Sequence, residues 1–522
     1  MNVPRSGDPI VLGVLTVGAL VAGATTTLAF PPGAVPVLGL VGTAVGLAAM
    51  AHAGSARRGA LVGLGWGLGF AALLFRWTLE LDLLAYVALA PAQAAFWAAT
   101  GAAVATLAKL SPGWWVLGTA GVWTVVEALR ARVPFGGFEW GQLGLATADV
   151  PVRHGAAVLG ALGVTGLVVA VAAGLASLVT PGQHWRNARS WRPLGAAVLV
   201  LGSVTAVGVV PWTTTHDALT VAVVQVDDPC PGEFAVDCPG LRQEIMRGLA
   251  AGTDALDTEP DLVLWGEGSL RGDTPDDAGS RLVEAHGALP APLLAGTNSP
   301  EPPGRFHNRN VLYDPQGRAL DWYGKRHPVP FGEYVPFRDL VGGLADVGRL
   351  VPSDMVPGED VSGLAVPTDE REVVLGSVVS WEVTFARLVR DAAAAGEAVT
   401  TLTTQASYGR APVSDQLLGA AQLRAVETGR AMVVAATTGR STIIQPDGTS
   451  EETTALFAAD ELEGTVALRG GTTPYALWGD GAAIVLAGLA AAAAAWRLRR
   501  GPARQVASER GAEPAVAEHA PG

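Results

Sequence analysis

The sequence predicts an α-helical polytopic membrane protein of about eight transmembrane helices that also carries one α/β layered domain. Three observations predict it. Hydrophobic residues make up 49% of the 522-residue chain against 16% charged, and the mean hydropathy is +0.33. The apolar residues are unevenly spread: Ala, Val, Leu and Gly dominate 1–215 and 481–497, whereas 216–470 holds most of the Asp and Glu. Only in that acidic stretch do short β-branched runs alternate with helical ones.

A helix needs about 20 mostly apolar residues to cross the hydrocarbon core, where it must satisfy its own backbone hydrogen bonds. Seven segments before residue 215 qualify, near 9–29, 36–53, 60–76, 84–108, 114–130, 153–180 and 194–212, and an eighth spans 481–497. Lys and Arg in short loops mark the cytoplasmic side. Arg57 and Arg58, Lys109, the group Arg186, Arg189 and Arg192, and the group Arg497, Arg499 and Arg500 all fall on one side; Arg130, Arg132 and Arg153 fall on the other. The majority puts both termini in the cytoplasm and the 216–470 domain outside, with the first segment retained rather than cleaved as a signal peptide. Residues 501–522 lack periodicity and read as a disordered cytoplasmic tail.

The net charge of −13 gives no reason to expect nucleic-acid binding. Cys230 and Cys238 are either a small disulfide or two free thiols, and neither sits in a metal-binding pattern. No metal or other cofactor is expected.

In the acidic domain, strands are expected at 219–226, 261–267, 292–298, 309–314, 372–380, 398–405, 431–437 and 441–446, with helices at 240–253, 278–287, 383–395 and 414–429. Glu267 ends an apolar strand, where a carboxylate is either a partly desolvated general base or a solvated loop acid. The Pro- and Gly-punctuated block YGKRHPVPFGEYVPF, 323–337, sets Lys325 and Glu333 among aromatic residues. A lysine there either steadies an oxyanion or pairs with an acid. In SVVSWEVTF, 377–385, Ser380 ends a strand and Glu382 starts the next turn; the serine is a nucleophile or an N-cap.

The order Glu267, Lys325 and a third residue at 380 resembles the carbon-nitrogen hydrolase, or nitrilase, superfamily, with its glutamate, lysine and cysteine on an α-β-β-α sandwich. Seven helices, a domain and an eighth helix, with GFEWGQLG (137–144), VAVVQ (221–225), KRHPVPFGEYVPF, WEVTF and QLRAVETGRAMVVAATTGRSTIIQPDG (422–448), resemble the apolipoprotein N-acyltransferase family within it. The resemblance implies an acyltransferase in a bacterial plasma membrane, acting between two membrane lipids. A phospholipid gives an acyl chain to the enzyme, and a diacylglyceryl lipoprotein takes it on its N-terminal amine. It implies Glu267 as base, Lys325 as oxyanion stabiliser, and Glu333 and Glu382 as supporting acids. Trp140, Trp77, Tyr334 and Trp381 are the expected lipid- and substrate-side residues, with interfacial anchoring the competing reading for Trp77 and Trp140.

At the nucleophile the family reads Cys-Tyr-Glu where this chain reads Ser380-Trp381-Glu382. Where the family usually reads Asn-Asp-x-Trp-Phe-Gly this chain has Thr404, Gln405, Ala406, Ser407, Tyr408 and Gly409, and Thr437 stands where the family tends to have Asn. Three functions stay open on this basis: an N-acyltransferase working through a serine ester, an acyl or amide hydrolase, and a catalytically impaired member. The last would bind lipid or lipoprotein, or support a membrane glycosyltransferase or another acyltransferase.

Overall fold

The computed structural model describes residues 9–180, 188–227, 241–341, 351–359, 361 and 363–500. Cys230, Cys238, Arg186 and the 501–522 tail lie outside the described residues.

Helices α1 (Pro9–Thr26), α2 (Pro36–His52), α3 (Ala56–Leu74), α4 (Leu83–Leu107), α5 (Pro112–Arg130), α6 (Ala156–Ser177) and α7 (Arg192–Gly208) fill the first part of the chain. Their starts follow local chemistry. Proline occupies the first turn of α2, α5 and α7, where its missing N–H costs nothing, and Asp82 caps α4 by accepting from the N–H groups of Leu84 and Ala85. Gly59, Gly63 and Gly67 recur every four residues along α3 and let it lie directly on α4: a Cβ on Gly63 would stand 2.1 Å from the Trp97 carbonyl oxygen. Among the described residues, four helical segments are long and apolar enough to cross a membrane: Pro9–Ala29, Leu83–Leu107, Pro151–Ser177 and Gly481–Arg500. The helices Pro36–His52 and Arg192–Gly208 are apolar but shorter.

The chain then alternates β1 (Thr213–Gln225), α8 (Leu241–Asp254), β2 (Leu262–Arg271), α9 (Pro275–His286), β3 (Leu293–Glu301), β4 (Arg305–Tyr313), β5 (Ala319–Gly324), α10 (Arg338–Val341), β6 (Asp354–Met355), β7 (Leu364–Pro367) and β8 (Glu372–Val379). It continues with α11 (Ala386–Ala395), β9 (Ala398–Thr403), α12 (Val413–Thr428), β10 (Met432–Ala436), β11 (Thr442–Ile444), β12 (Ser450–Thr453) and β13 (Asp460–Gly471), then α13 (Pro474–Trp478) and α14 (Gly481–Arg500). One sheet runs β13-β1-β2-β3-β4-β5 with β6 beside β4; the other runs β12-β11-β10-β9-β8-β7.

Alternation along the strands builds the layers. Leu219, Val221 and Val223 of β1 and Leu262 and Leu264 of β2 point inward to meet Leu375, Val379, Leu402 and Val433 of the second sheet. Val224, Val263 and Trp265 point the other way, onto Leu249 of α8 and Ala278 and Leu282 of α9. The outer face of the second sheet packs through Val378, Val399 and Val434 on Leu388 and Val389 of α11 and Leu423 and Val426 of α12, in one core continuous with the helices of the first part. The result is an α-β-β-α sandwich with one helix layer seated on the apolar bundle.

Two local expectations change. Glu267 does not end its strand: β2 runs on to Arg271, and Glu267 sits where the β2–β3 register shifts between Trp265 and Leu270. Helix 383–395 begins later, at Ala386, because Ser380–Thr384 forms a separate 3₁₀ turn.

Candidate active site

Gly266 allows the two sheets to meet beside Glu267, since a Cβ there would lie 2.1 Å from the backbone nitrogen of Thr437 on the opposite sheet. Thr437 uses that approach to donate its hydroxyl to the Glu267 carbonyl at 2.8 Å. The Glu267 carboxylate accepts from Asn308 Nδ2 at 2.7 Å and lies 3.5 Å from Lys325 Nζ. Lys325 follows β5 and is 2% exposed. Its ammonium donates to Glu333 Oε1 at 2.6 Å, while Glu333 Oε2 accepts the backbone N–H of Val329 at 2.8 Å. Burial alone would lower the lysine's pKa, but the facing carboxylates of Glu333 and Glu267 outweigh it and hold Lys325 above its ordinary value. Such a lysine stays charged at neutral pH and suits stabilising negative charge rather than exchanging protons.

Ser380 heads the turn after β8 with φ of +53°, a left-handed conformation in which few residues other than glycine are comfortable. It is half-buried, and its hydroxyl pairs with Thr403 Oγ1 at 3.2 Å. Glu382 joins this turn to the lysine loop. One carboxylate oxygen accepts from the backbone N–H groups of Arg326 and His327, each at 2.8 Å; the other accepts from Val379 N at 2.8 Å and the Tyr323 hydroxyl at 3.1 Å. The residue after Lys325 and the residue before Ser380 therefore hang on one side chain. Burial pushes the Glu382 carboxyl above its ordinary value, against the Val379 N–H, Lys325 and the other backbone donors. Asn310 adds a second tie between the sheets by donating to Ser377 Oγ and the Val378 carbonyl at 2.8 and 3.0 Å.

The aromatic residues divide. Trp77 and Trp140 are both buried, with ring centroids 5.0 Å apart, and Tyr408 packs edge-on against Trp77 at 5.5 Å. Trp140 also donates to Gln416 Oε1 at 2.7 Å. At 7% and 5% exposure, Trp77 and Trp140 are interior rather than surface anchors. Burial, with the Glu267 charge second, raises Tyr408 to about 12. Trp381 instead stacks on His327 at 5.1 Å and donates to the His327 carbonyl at 2.6 Å, so it braces the lysine loop. Tyr334 is half-buried on that same loop, and its hydroxyl makes no hydrogen bond among the described residues.

Sequence reasoning missed Asn308, Thr403 and His327. Asn308 and Thr403 are common residues in ordinary strands, His327 sits unremarked inside the 323–337 block, and only tertiary pairing gives each a place.

Residues 22–174 match the model of the apolipoprotein N-acyltransferase N-terminal domain, and residues 291–454 match the carbon-nitrogen hydrolase model. An apolipoprotein N-acyltransferase from Methylococcus capsulatus is 30% identical over 392 residues, 73% of this chain and 74% of its own length. The chain belongs to the apolipoprotein N-acyltransferase family. Another apolipoprotein N-acyltransferase, from Chromobacterium violaceum, is 28% identical over 502 residues, 91% of this chain and 92% of its own. An amidase of the nitrilase superfamily from Nesterenkonia AN1 overlays 50% of this chain and 94% of its own at 21% identity, with a TM-score of 0.33. As a member of this family, with four spanning-length apolar helices among the described residues, the chain is a membrane protein, and its second part is a nitrilase-type α/β domain.

Proposed function

We propose that this protein transfers an acyl chain from a membrane phospholipid to the N-terminal amine of a diacylglyceryl-cysteine lipoprotein, with Ser380 carrying the acyl group between the two half-reactions. The observation that carries this reading is Glu382, which ties the strained Ser380 turn to the loop of Lys325, itself fixed between Glu267 and Glu333. Family membership supplies the reaction class.

In the first half-reaction Glu267 takes the Ser380 proton as Oγ attacks the ester carbonyl of the phospholipid. Lys325 stabilises the tetrahedral oxyanion. Collapse breaks the bond to the glycerol oxygen, which leaves with the proton as lysophospholipid. In the second, the lipoprotein amine attacks the Ser380 ester, Glu267 relays the amine proton to Oγ, and the amide leaves. A serine hydroxyl ionises far less readily than a thiol, so this route depends on a well-aligned base. Glu267 is the carboxylate assigned that role, with a side chain only 10% exposed.

The site requires both lipids at one membrane face, where binding raises their effective concentration. In this reading α1 to α7 and α14 cross a bacterial plasma membrane as eight spans, in a membrane domain over 1–215 and a closing helix near 481–497. Domain 216–470 lies outside and both termini inside; Arg57, Arg58, Lys109 and the Arg497 group support that orientation. Trp140, Trp77 and Tyr408 form the lipid-side wall, Tyr334 faces substrate from the lysine loop, and Trp381 supports that loop.

The test supplies detergent-purified protein with a phospholipid labelled in its acyl chains and a diacylglyceryl-cysteine peptide. N-acylated peptide and lysophospholipid should form in equal amounts. Failure of both, with transfer by Ser380→Cys, would reject the serine route.

A further inference from the structure

Three buried ionisable side chains outside the chemistry above join the Ser380 turn to the helical bundle. Arg424 of α12 and Glu427, one turn later, are both fully buried, and Glu139, in the loop after α5, is 2% exposed. Arg424 donates Nη2 to the Thr384 carbonyl at 2.6 Å and Nε to the Val383 carbonyl at 3.2 Å, gripping the end of the turn that Ser380 opens. Its Nη1 pairs with Glu427 Oε2, and Glu427 Oε1 accepts the backbone N–H of Ala161 at 2.6 Å, beside the kink of α6 at Gly160. Glu139 Oε2 lies 3.5 Å from Arg424 Nη2 and accepts the backbone N–H of Ala386 at 2.8 Å, at the first residue of α11.

Burying one guanidinium with two carboxyls is costly, and well-packed apolar residues of similar volume would often be as stable. What an apolar replacement lacks is direction. Arginine's planar fork meets two successive carbonyls and a carboxylate at once, which fixes the orientation of the turn as well as its position.

Resting on the reading of Ser380 as acyl carrier, we propose that Arg424, Glu139 and Glu427 form a positioning cluster that sets the Ser380 turn against α6 and the loop after α5. The reactive hydroxyl is aligned only when the α/β domain is seated on the membrane helices. The three residues act through the turn and touch no substrate.

The experiment measures the rate of acyl-enzyme formation in full-length, detergent-purified protein with two donors, a phospholipid and a short water-soluble activated ester. Arg424→Lys, Arg424→Met, Glu139→Gln and Glu139→Leu are compared with the unaltered chain, and each variant's melting temperature is recorded. Misplacement of the turn should slow acylation by about 100-fold for Arg424→Met with both donors alike, leaving KM for phospholipid nearly unchanged. Glu139→Gln should retain most of the rate, because its amide oxygen still accepts from Ala386, whereas Glu139→Leu should lose it. Folded variants that acylate at the unaltered rate, or that lose only phospholipid affinity, would overturn the proposal. If Arg424→Met does not fold, the Glu139 pair decides. Absence of an acyl-enzyme in the unaltered chain would sink the Ser380 reading itself, an outcome distinct from normal acylation by the variants.

Discussion

Lys325 Nζ lies 2.6 Å from Glu333 Oε1, so the buried ammonium is held by an acid from its own loop more closely than by Glu267 at 3.5 Å. The Glu333 carboxylate in turn is fixed by the Val329 N–H. This makes the lysine's direction, as well as its charge, a property of the loop.

Removing either partner should have separate consequences. Lys325→Met should cut transfer by about 10²- to 10³-fold, the range for losing one oxyanion donor. Glu333→Ala should instead destabilise the fold by about 3 kcal/mol, because it strands a buried cation with one more distant partner. Steady-state rates and thermal unfolding of the two variants separate these effects.

The Trp140 indole offers a smaller test. Trp140→Phe retains the ring contact with Trp77 but loses the hydrogen bond to Gln416, which ties the loop after α5 to α12. A loss of about 1 kcal/mol is expected, read as a lowered melting temperature.

Helix packing in the bundle predicts a contrast between two glycines. Gly63→Ala forces a methyl within 2.1 Å of the Trp97 carbonyl, while a Cβ on Gly13 meets nothing within 4 Å. Gly63→Ala should destabilise by about 1–3 kcal/mol and Gly13→Ala should leave the melting temperature unchanged or slightly raised.

His327 gives a pH dependence with a definite sign. Burial first, then Arg387 and Lys325, lower its pKa from 6.5 to about 4. The folded protein binds this proton less readily than the unfolded chain, so stability from the neutral ring is present above 6.5 and is lost as pH falls toward 4. His327→Gln should therefore show a shallower fall in melting temperature across that window.

Much of this was legible in the sequence because apolar length and strand alternation are local signals. The helices near 36–53 and 84–108 appear as Pro36–His52 and Leu83–Leu107, and the inward and outward faces of β1 follow its alternation. Strand β13 was not legible. Its residues Asp460–Gly471 are mixed polar and small, and they form a strand only by pairing along β1 at the sheet edge. The site shows the same division. Glu267, Lys325 and Glu333 stood out as charged residues in apolar or Pro- and Gly-rich surroundings. Asn308, Thr403 and the Arg424 cluster gain meaning from partners far away in the chain, which no spacing rule encodes.

The measurement closest to the central claim is intact mass after incubation with phospholipid alone. The unaltered protein should gain one acyl chain, mapped to Ser380, that resists neutral hydroxylamine better than a thioester; Ser380→Ala should gain none, and Ser380→Cys should form a hydroxylamine-labile adduct. An unaltered chain that stays unacylated while Ser380→Cys becomes acylated, or an adduct that persists in Ser380→Ala, would contradict the assignment of Ser380 as the acyl carrier.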